Sequence, residues 1–208
     1  LFEVDSEGLT IVSVDGYRLA LRHESIDKKE GAETFSFVVP GAALSEVEKI
    51  CSDVDEPASV TQGARHVMFK VGDTMLVSRR LEGEFLAIPR NNTIHVEGDT
   101  RALLSSIDRV SLIISDKLKS PLRCVFDSNL LKISTKTAIG DAYDECPLSG
   151  DGGGLEIGFN NKYLMDALKA APADKVRLEL TTGVSPCVIL PTEGEENFLY
   201  MVLPVRLK

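Results

Sequence analysis

The sequence predicts an α+β protein that is built from two similar domains with largely antiparallel sheets. Three features support this prediction: strand-like runs dominate, three amphipathic helices separate groups of strands, and one strand–helix–strand unit occurs twice. Strands that come in groups with helices between them favour an α+β fold over a strictly alternating parallel one. With 208 residues, the chain can bury a real core in one large domain or in two of about 100 residues each.

Apolar residues at helical spacing predict the three helices. They lie in "VPGAALSEVEKICSD", "DTRALLSSIDRVSLIIS" and "NNKYLMDALKAA", and the apolar stripe of the second runs from Leu103 to Ile114. Asp99 is placed to cap the second helix, and Asn160 or Asn161 is placed to cap the third. Short polar side chains at these positions can accept hydrogen bonds from the free N–H groups of a first helical turn.

The strand–helix–strand unit repeats at an offset of 120 residues. The segment "FSFVVPGAALSEVEKICSDVDEPASVTQ" matches "LEIGFNNKYLMDALKAAPADKVRLELTT" in element order, with Phe35 opposite Leu155. Such self-similarity is typical of a duplicated domain. We therefore expect a first domain over residues 1–86 that is incomplete at its start, a connector over 87–92 and a second domain over 93–208.

The net charge of −9 argues against a protein that binds nucleic acid over its whole surface, although it allows a local basic face. Such a face is predicted on the outer sides of the second and third helices, at Arg101, Arg109, Lys162 and Lys169. These cations could contact phosphates without reading bases, and an ordinary solvated helix face explains them equally well.

No residue pattern indicates a catalytic centre or a cofactor site. Cysteines and histidines are scattered without a C-x-x-C pair, which predicts buried or unreactive thiols and no metal ion. The run "DGGG" at 151–154 lacks the Gly-Lys-Ser/Thr of a phosphate-binding loop, so we predict a hairpin loop there. The acid pair of Asp144 and Glu145 is at first interpreted as solvated surface, as is the pair of Glu195 and Glu196. We therefore expect a protein without enzymatic activity.

The two ends of the sequence carry further expectations. The start, "LFEVDSEGLTIV", is typical of a strand already under way, so we expect a fragment that lacks a secretory leader and lies in the cytoplasm. No apolar run approaches the roughly 18 residues of a membrane helix. The end, "YMVLPVRLK", predicts a last strand that Pro204 releases from its sheet, because proline cannot donate to a strand ladder. The pair Asp15-Gly16, which stands between two apolar runs, predicts a turn.

Five segments together resemble the bacterial DNA polymerase III beta subunit family, the sliding clamps. They are "LTIVSVDGYRLAL", "FVVPGAALSEVEKI", "VGDTMLVSRRLEGEF", "LEIGFNNKYLMDALKA" and "YMVLPVRL", in the family's order and across essentially the whole chain. The resemblance implies a DNA-clamp fold of duplicated domains, with antiparallel sheets outside and helices lining a ring. It further implies a homodimer that encircles duplex DNA as a processivity factor in DNA replication, without an active site or a cofactor.

The resemblance also implies a pocket that receives a short apolar peptide motif of the replicative DNA polymerase, the clamp loader and other partners. Its matching positions are Val14, Gly16, Tyr17, Arg18, Leu19, Leu86, Ala87, Val184, Pro186, Met201, Leu203, Pro204, Val205 and Arg206. Leu203 and Val205 stand where the family often has Met, and the connector around 85–88 is shorter than the family's.

By the same resemblance, ring closure involves Ile113, Ile114, Asp141, Asp144 and Glu145. This implication changes the interpretation of the acid pair from solvated surface to subunit contact. The resemblance also implies that helices line a positive hole, so we expect the four cations named above to face DNA. The alternative hypothesis is a peptide-binding module of duplicated β-rich domains that does not act on DNA. A third, an enzyme that uses the carboxylate pair, has no substrate that the sequence can name.

Overall fold

The computed structural model describes residues 1–26, 34–52, 54–82, 92–115, 120–194 and 197–207. The chain forms two compact units, of which the first comprises residues 1–13 and 23–88 and the second comprises residues 14–22 and 89–208. The segment at 84–93, where the sequence predicts the break between domains, lies almost wholly outside the described residues.

Strands predominate among the elements, as the sequence predicts. The strands and helices, in chain order, are β1 (Phe2–Val4), β2 (Leu9–Val14), β3 (Arg18–Glu24), β4 (Phe35–Phe37), α1 (Gly41–Ser52), β5 (Ser59–Gln62), β6 (His66–Val71), β7 (Thr74–Arg79), β8 (Ile94–Asp99), α2 (Thr100–Ser111), β9 (Leu122–Thr137), β10 (Gly140–Phe159), α3 (Asn161–Ala170), β11 (Lys175–Leu180), β12 (Cys187–Pro191) and β13 (Phe198–Val202).

The first unit is organised around a small aromatic core. Strands β4, β1 and β2 pair in that order, and β5, β6 and β7 form a second antiparallel sheet. Phe2 stacks on Phe37 with ring centroids 4.9 Å apart, and Phe69 lies close to Phe2. Helix α1 lays Leu44 and Val47 against this core, because its apolar residues recur at helical spacing.

The second unit contains one antiparallel sheet in the order β3, β13, β12, β11, β8, β10 and β9, to which β3 contributes Arg18–Arg22. Strand β13 is central, with Met201 opposite Leu19 of β3 and opposite Val188 of β12. All of its residues except Tyr200 are buried, which explains its nearly continuous apolar sequence.

Helices α2 and α3 pack against each other and against this sheet. Both predicted caps are confirmed, since Asp99 Oδ1 accepts a hydrogen bond from the Ala102 N–H at 2.7 Å and Asn160 caps α3. Helix α2 ends at Ser111, however, so that Ile114 reaches the core from the following turn rather than from the predicted helical stripe.

The positions of α1 and α3 confirm the internal repeat. Helix α1 begins at Gly41 and α3 at Asn161, which reproduces the offset of 120 residues seen in the sequence. Each helix follows a strand and precedes an antiparallel pair, as the alignment predicts. The helices differ in burial: α3 buries Leu164, Ala167 and Leu168, whereas no residue of α1 is fully buried.

The prediction of a hairpin loop at 151–154 is wrong. These residues lie inside β10, where the pairing with β9 shifts register on both sides of Asp151. Gly150, Gly153 and Gly154 have positive φ angles of 110°, 63° and 72° and supply the bulged backbone. Glycine serves a bulge as well as a loop, and local sequence does not reveal the partner strand that decides between them.

Asp144 ties helix α2 to strand β10. Its Oδ2 accepts hydrogen bonds from Ser106 Oγ at 2.8 Å and from Arg109 Nε at 2.8 Å. Desolvation raises the pKa of Asp144, but the hydrogen bonds from Ser106 and Arg109 outweigh it and hold the pKa below its ordinary value. The carboxylate is therefore a structural acceptor within the second unit.

Replacing Gly152 by alanine should destabilise the second unit. An added Cβ would lie 2.4 Å from the carbonyl oxygen and the Cβ of Phe126, so β9 and β10 would have to separate. We expect a loss of about 2–3 kcal/mol in the free energy of unfolding, measured by urea denaturation. Gly153→Ala is the matched control: its Cβ meets nothing within 4 Å, and only its left-handed backbone costs about 1 kcal/mol. Equal losses for the two variants would contradict the close approach at Gly152.

Asp144→Asn should lower stability at neutral pH but not in acid. A carboxyl with a lowered folded-state pKa stabilises the fold above its unfolded pKa, and this contribution disappears as the pH falls through the folded pKa. We expect a difference of about 1 kcal/mol from the unaltered chain at pH 7, vanishing as the pH is lowered through the folded pKa. Thermal or urea unfolding across this pH range measures it. The exposed Asp141, whose carboxylate lies 3.8 Å from Lys136 Nζ, provides the control Asp141→Asn with little effect at any pH.

Candidate functional site

A tight turn joins β2 to β3 and presents Tyr17 to solvent. Asp15 Oδ1 accepts hydrogen bonds from the backbone N–H groups of Tyr17 and Arg18, which confirms the predicted turn. Gly16 has a φ of 85°, and a Cβ added there would meet nothing within 4 Å. The turn is therefore shaped by backbone conformation and by one aspartate.

The chain end runs on from β13 past this turn and then to β10. Strand β13 stops at Val202, after which the Leu203 N–H donates to the carbonyl oxygen of Tyr17 at 2.9 Å. Two residues later, the Val205 N–H donates to the carbonyl oxygen of Gly158 on β10 at 2.7 Å. Pro204 lies between these two bonds, so the prediction that the proline follows the last strand and ends its ladder is confirmed.

Two glycines let neighbouring segments approach β10 and its surroundings closely. A Cβ on Gly158 would lie 2.3 Å from the carbonyl oxygen of Val205, and a Cβ on Gly183 would lie 2.5 Å from that of Glu156. The chain end and the turn that contains Val184 are thus held against Gly158 and Glu156, two residues apart on β10. These two contacts place Val184 and Val205 at one end of the sheet.

The result is an exposed apolar area, here called the acceptor surface, formed by Tyr17, Tyr163, Val184, Pro186, Leu203 and Val205. The exposed fractions are 61% for Tyr17, 77% for Val184, 37% for Leu203 and 38% for Val205. Pro186 is half-buried and, by the register of β12 with β13, lies opposite Leu203. Large apolar side chains that gather in the open at one place are typical of an interaction site.

The other predicted pocket residues fall around this surface. Leu19 and Met201 pair across β3 and β13 and are buried, so they support the surface from below. Val14 is exposed at the end of β2, and Arg206 is exposed beyond Val205. The predicted positions Leu86 and Ala87 lie outside the described residues.

Tyr163 is the residue that the sequence prediction missed. Its ring stacks on Tyr17 with centroids 6.0 Å apart and planes 25° apart, and the Arg18 guanidinium lies 4.6 Å from its centroid. Tyr163 occupies the first turn of α3, more than a hundred residues from Tyr17 in sequence. No local pattern connects them, although an aromatic residue three positions after the predicted cap at Asn160 was a signal that could have been followed.

Arg18 is held by two carboxylates. Its Nε lies 2.8 Å from Asp15 Oδ2, and its Nη1 lies 2.6 Å from Asp166 Oδ2 on α3. The hydrogen bonds that Arg18 donates to Asp15 and, next in effect, to Asp166 raise the pKa of Arg18. Burial raises the pKa of Asp15, but its hydrogen bonds with Arg18 and the turn lower it to below the usual value.

The residues predicted for ring closure are spread over the end of α2 and the β9–β10 hairpin. Ile113 and Ile114 are half-buried, and Leu112 beside them is 79% exposed. Glu145 accepts a hydrogen bond from the hydroxyl of Tyr143. Asp144 is engaged within the chain, as described above, and a role of these residues between subunits stays a prediction.

The cations predicted to face DNA are exposed on the packed helices α2 and α3. Arg109 is paired with Asp144, its Nη2 lying 2.6 Å from Oδ2, so part of its charge is neutralised within the chain. Arg101 and Lys169 make no ion pair with any other residue that the structure describes. A role in DNA contact stays a prediction for all four residues.

The thiols are free, and most are buried, as the sequence predicts. Burial raises the pKa of Cys124 to about 12 and raises that of Cys187 further, which disfavours the reactive thiolate. Among the described residues, no group of three His, Cys, Asp or Glu side chains is arranged to hold a metal ion. Within the same part of the chain, no helix combines the length and the apolar character needed to span a membrane.

Comparison with known proteins connects these features to one family. Residues 1–87 match the central domain of the DNA polymerase III beta subunit, and residues 86–206 match its C-terminal domain. A beta sliding clamp from Staphylococcus aureus is 31% identical over 209 aligned residues, covering 98% of this chain and 55% of the relative. The chain thus spans about half the length of the curated relatives that it matches.

Solved structures agree with the sequence comparison. The DNA polymerase III beta subunit from Thermotoga maritima matches with a TM-score of 0.88 at 29% identity, covering 100% of this chain and 57% of that one. The DNA polymerase sliding clamp from Bacillus subtilis matches with a TM-score of 0.88 at 27% identity, covering 100% and 56% of the two chains. The repeated strand–helix units, the antiparallel sheets and these matches lead to one conclusion: the chain belongs to the DNA polymerase III beta subunit family.

Proposed function

We propose that this chain is part of a sliding clamp, a homodimeric ring that encircles duplex DNA and tethers the replicative DNA polymerase. The observation that carries the proposal is the acceptor surface, where four segments distant in sequence expose apolar side chains at one end of the sheet. Membership of the DNA polymerase III beta subunit family supports the assignment, because relatives of similar sequence are named sliding clamps.

The acceptor surface is suited to a short apolar peptide. Tyr17 and Tyr163 offer flat aromatic faces, while Val184, Leu203 and Val205 offer aliphatic side chains for leucine and phenylalanine anchors. The backbone of Tyr17 and of Gly158 is already bonded to the chain end, so few polar groups would lose water on binding. The polymerase, the clamp loader and other partners would share this surface through a common motif.

The proposed DNA contact is electrostatic and independent of base sequence. Arg101, Lys162 and Lys169 are exposed cations on α2 and α3, which suits loose contact with phosphates. A protein with a net charge of −9 would not hold DNA tightly by charge alone. Retention by a closed ring resolves this difficulty, because it requires no strong phosphate contact.

Retention on DNA should depend on DNA topology. We expect the full-length gene product, once loaded on a nicked circular plasmid, to stay bound during gel filtration and to leave when the plasmid is cut once. Retention should persist at salt concentrations that abolish ordinary phosphate contacts. A full-length protein that stays monomeric at micromolar concentration, or that leaves circular and linear DNA equally fast, would overturn the ring and favour a peptide-binding module without a role on DNA.

Gly158→Ala should weaken peptide binding while the fold is kept. The added Cβ would meet the Val205 carbonyl oxygen and the Leu207 side chain, so the chain end must move away from β10. We expect at least a tenfold loss of affinity for a labelled Gln-Ala-Ala-Leu-Phe peptide in fluorescence anisotropy, and a comparable loss on removal of residues 203–208. Gly154→Ala, whose Cβ meets nothing within 4 Å, should bind as the unaltered chain does. If neither Gly158→Ala nor the removal of residues 203–208 changed the affinity, the acceptor surface would not be the peptide-binding site.

A further inference from the structure

Four side chains beside the acceptor surface form a closed set of contacts, here called the Arg18 cluster: Asp15, Arg18, Tyr163 and Asp166. The two carboxylates reach the guanidinium at 2.8 Å and 2.6 Å, from the turn on one side and from α3 on the other. The same guanidinium covers the Tyr163 ring, which also stacks on Tyr17. One arginine therefore connects the turn, helix α3 and the aromatic pair.

The charges of this cluster determine what Arg18 can do. Two carboxylates flank one guanidinium, whose Nε and Nη1 both donate to groups of the same chain. The cluster as a whole carries one excess negative charge, which does not favour an acidic group of a partner. Arg18 is thus arranged to hold neighbouring side chains and not to bind an anion.

Asp166 is the component that fixes the direction of the guanidinium. Asp15 belongs to the same turn as Arg18 and moves with it, whereas Asp166 is anchored on α3, three residues beyond Tyr163. Residues three apart on a helix lie on the same face, so the carboxylate and the ring are presented together. Without Asp166, the guanidinium would keep its bond to the turn but lose the fixed point that sets it over the ring.

We propose that Asp166 is a positioning residue for peptide binding: it holds Arg18 across Tyr163, so that Tyr17 and Tyr163 stay stacked as one preformed aromatic wall. The proposal rests on the proposed function, because the wall belongs to the acceptor surface. Preforming the wall lowers the cost of ordering side chains when a peptide binds.

The first test is a double-mutant cycle on the 208-residue chain, measured with the capped peptide Gln-Ala-Ala-Leu-Phe. We expect Asp166→Ala to weaken binding by about three- to tenfold, in keeping with the modest strength of a partly exposed ion pair. The same substitution should have no effect in an Arg18→Gln background, because Asp166 acts through Arg18. Asp166→Glu should restore part of the affinity. Asp108→Ala, at an exposed aspartate on α2, is the matched control and should leave the affinity unchanged.

A second peptide separates positioning from direct recognition. If Arg18 bound an acidic group of the partner, its release in Asp166→Ala would strengthen the binding of Gln-Ala-Asp-Leu-Phe relative to the uncharged peptide. We expect both peptides to be weakened by the same factor. Selective strengthening of the acidic peptide, or additive losses in the Arg18→Gln background, would overturn the proposal.

The stack itself can be observed without any peptide. In the unaltered chain the ring protons of Tyr17 and Tyr163 should show mutual ring-current shifts by NMR, and Asp166→Ala should move them towards free tyrosine values. Unchanged shifts would refute the positioning role. Failure of the unaltered chain to bind either peptide would instead refute the proposed function, while the ring shifts would still decide what Asp166 does.

Discussion

The arrangement of the candidate site depends on one constraint, the pairing of strand β13 between β3 and β12. This double pairing fixes Val202 opposite Arg18 on one side and opposite Cys187 on the other. The strand segments of the acceptor surface, from Tyr17, Pro186 and Leu203 outward, then begin next to these paired positions. The turn after β2, the turn before β12 and the chain end meet because three neighbouring strands begin or end there.

The end of β13 shows how a strand can become an exposed binding segment. Its buried residues satisfy their backbone groups on both sides, so the strand needs no further partner. Beyond Val202 the Leu203 N–H still donates on the β3 side, to Tyr17, and the Val205 N–H then donates to Gly158 of β10. Pro204 removes one donor between these bonds, which frees the neighbouring side chains from a regular ladder and leaves them partly exposed. Had the strand continued, Leu203 and Val205 would lie on the same face of the sheet, and their backbone groups would pair with the neighbouring strands.

Charge is used locally rather than globally in this protein. The chain has a net charge of −9, yet its prominent ion pairs hold elements in place: Asp144 binds Arg109 between β10 and α2, and Asp166 binds Arg18 between α3 and a turn. Both pairs are partly exposed, so each contributes orientation more than stability. The charge of a ligand therefore cannot be inferred from these residues, because each of them already pairs with an opposite charge within the chain.

The sequence by itself determined the element order, the antiparallel α+β class, the helix caps, the internal repeat and the release of the chain end at Pro204. These features follow from periodicity, capping chemistry and proline geometry, which act over a few residues and can therefore be recognised in a linear pattern. Resemblance to a family added most of the acceptor surface. Only the tertiary structure decided that "DGGG" is a bulge against Phe126, that Tyr163 stacks on Tyr17, and that Asp166 reaches Arg18. Each of these depends on which strands and helices become neighbours, and close packing between distant segments leaves no trace in local composition.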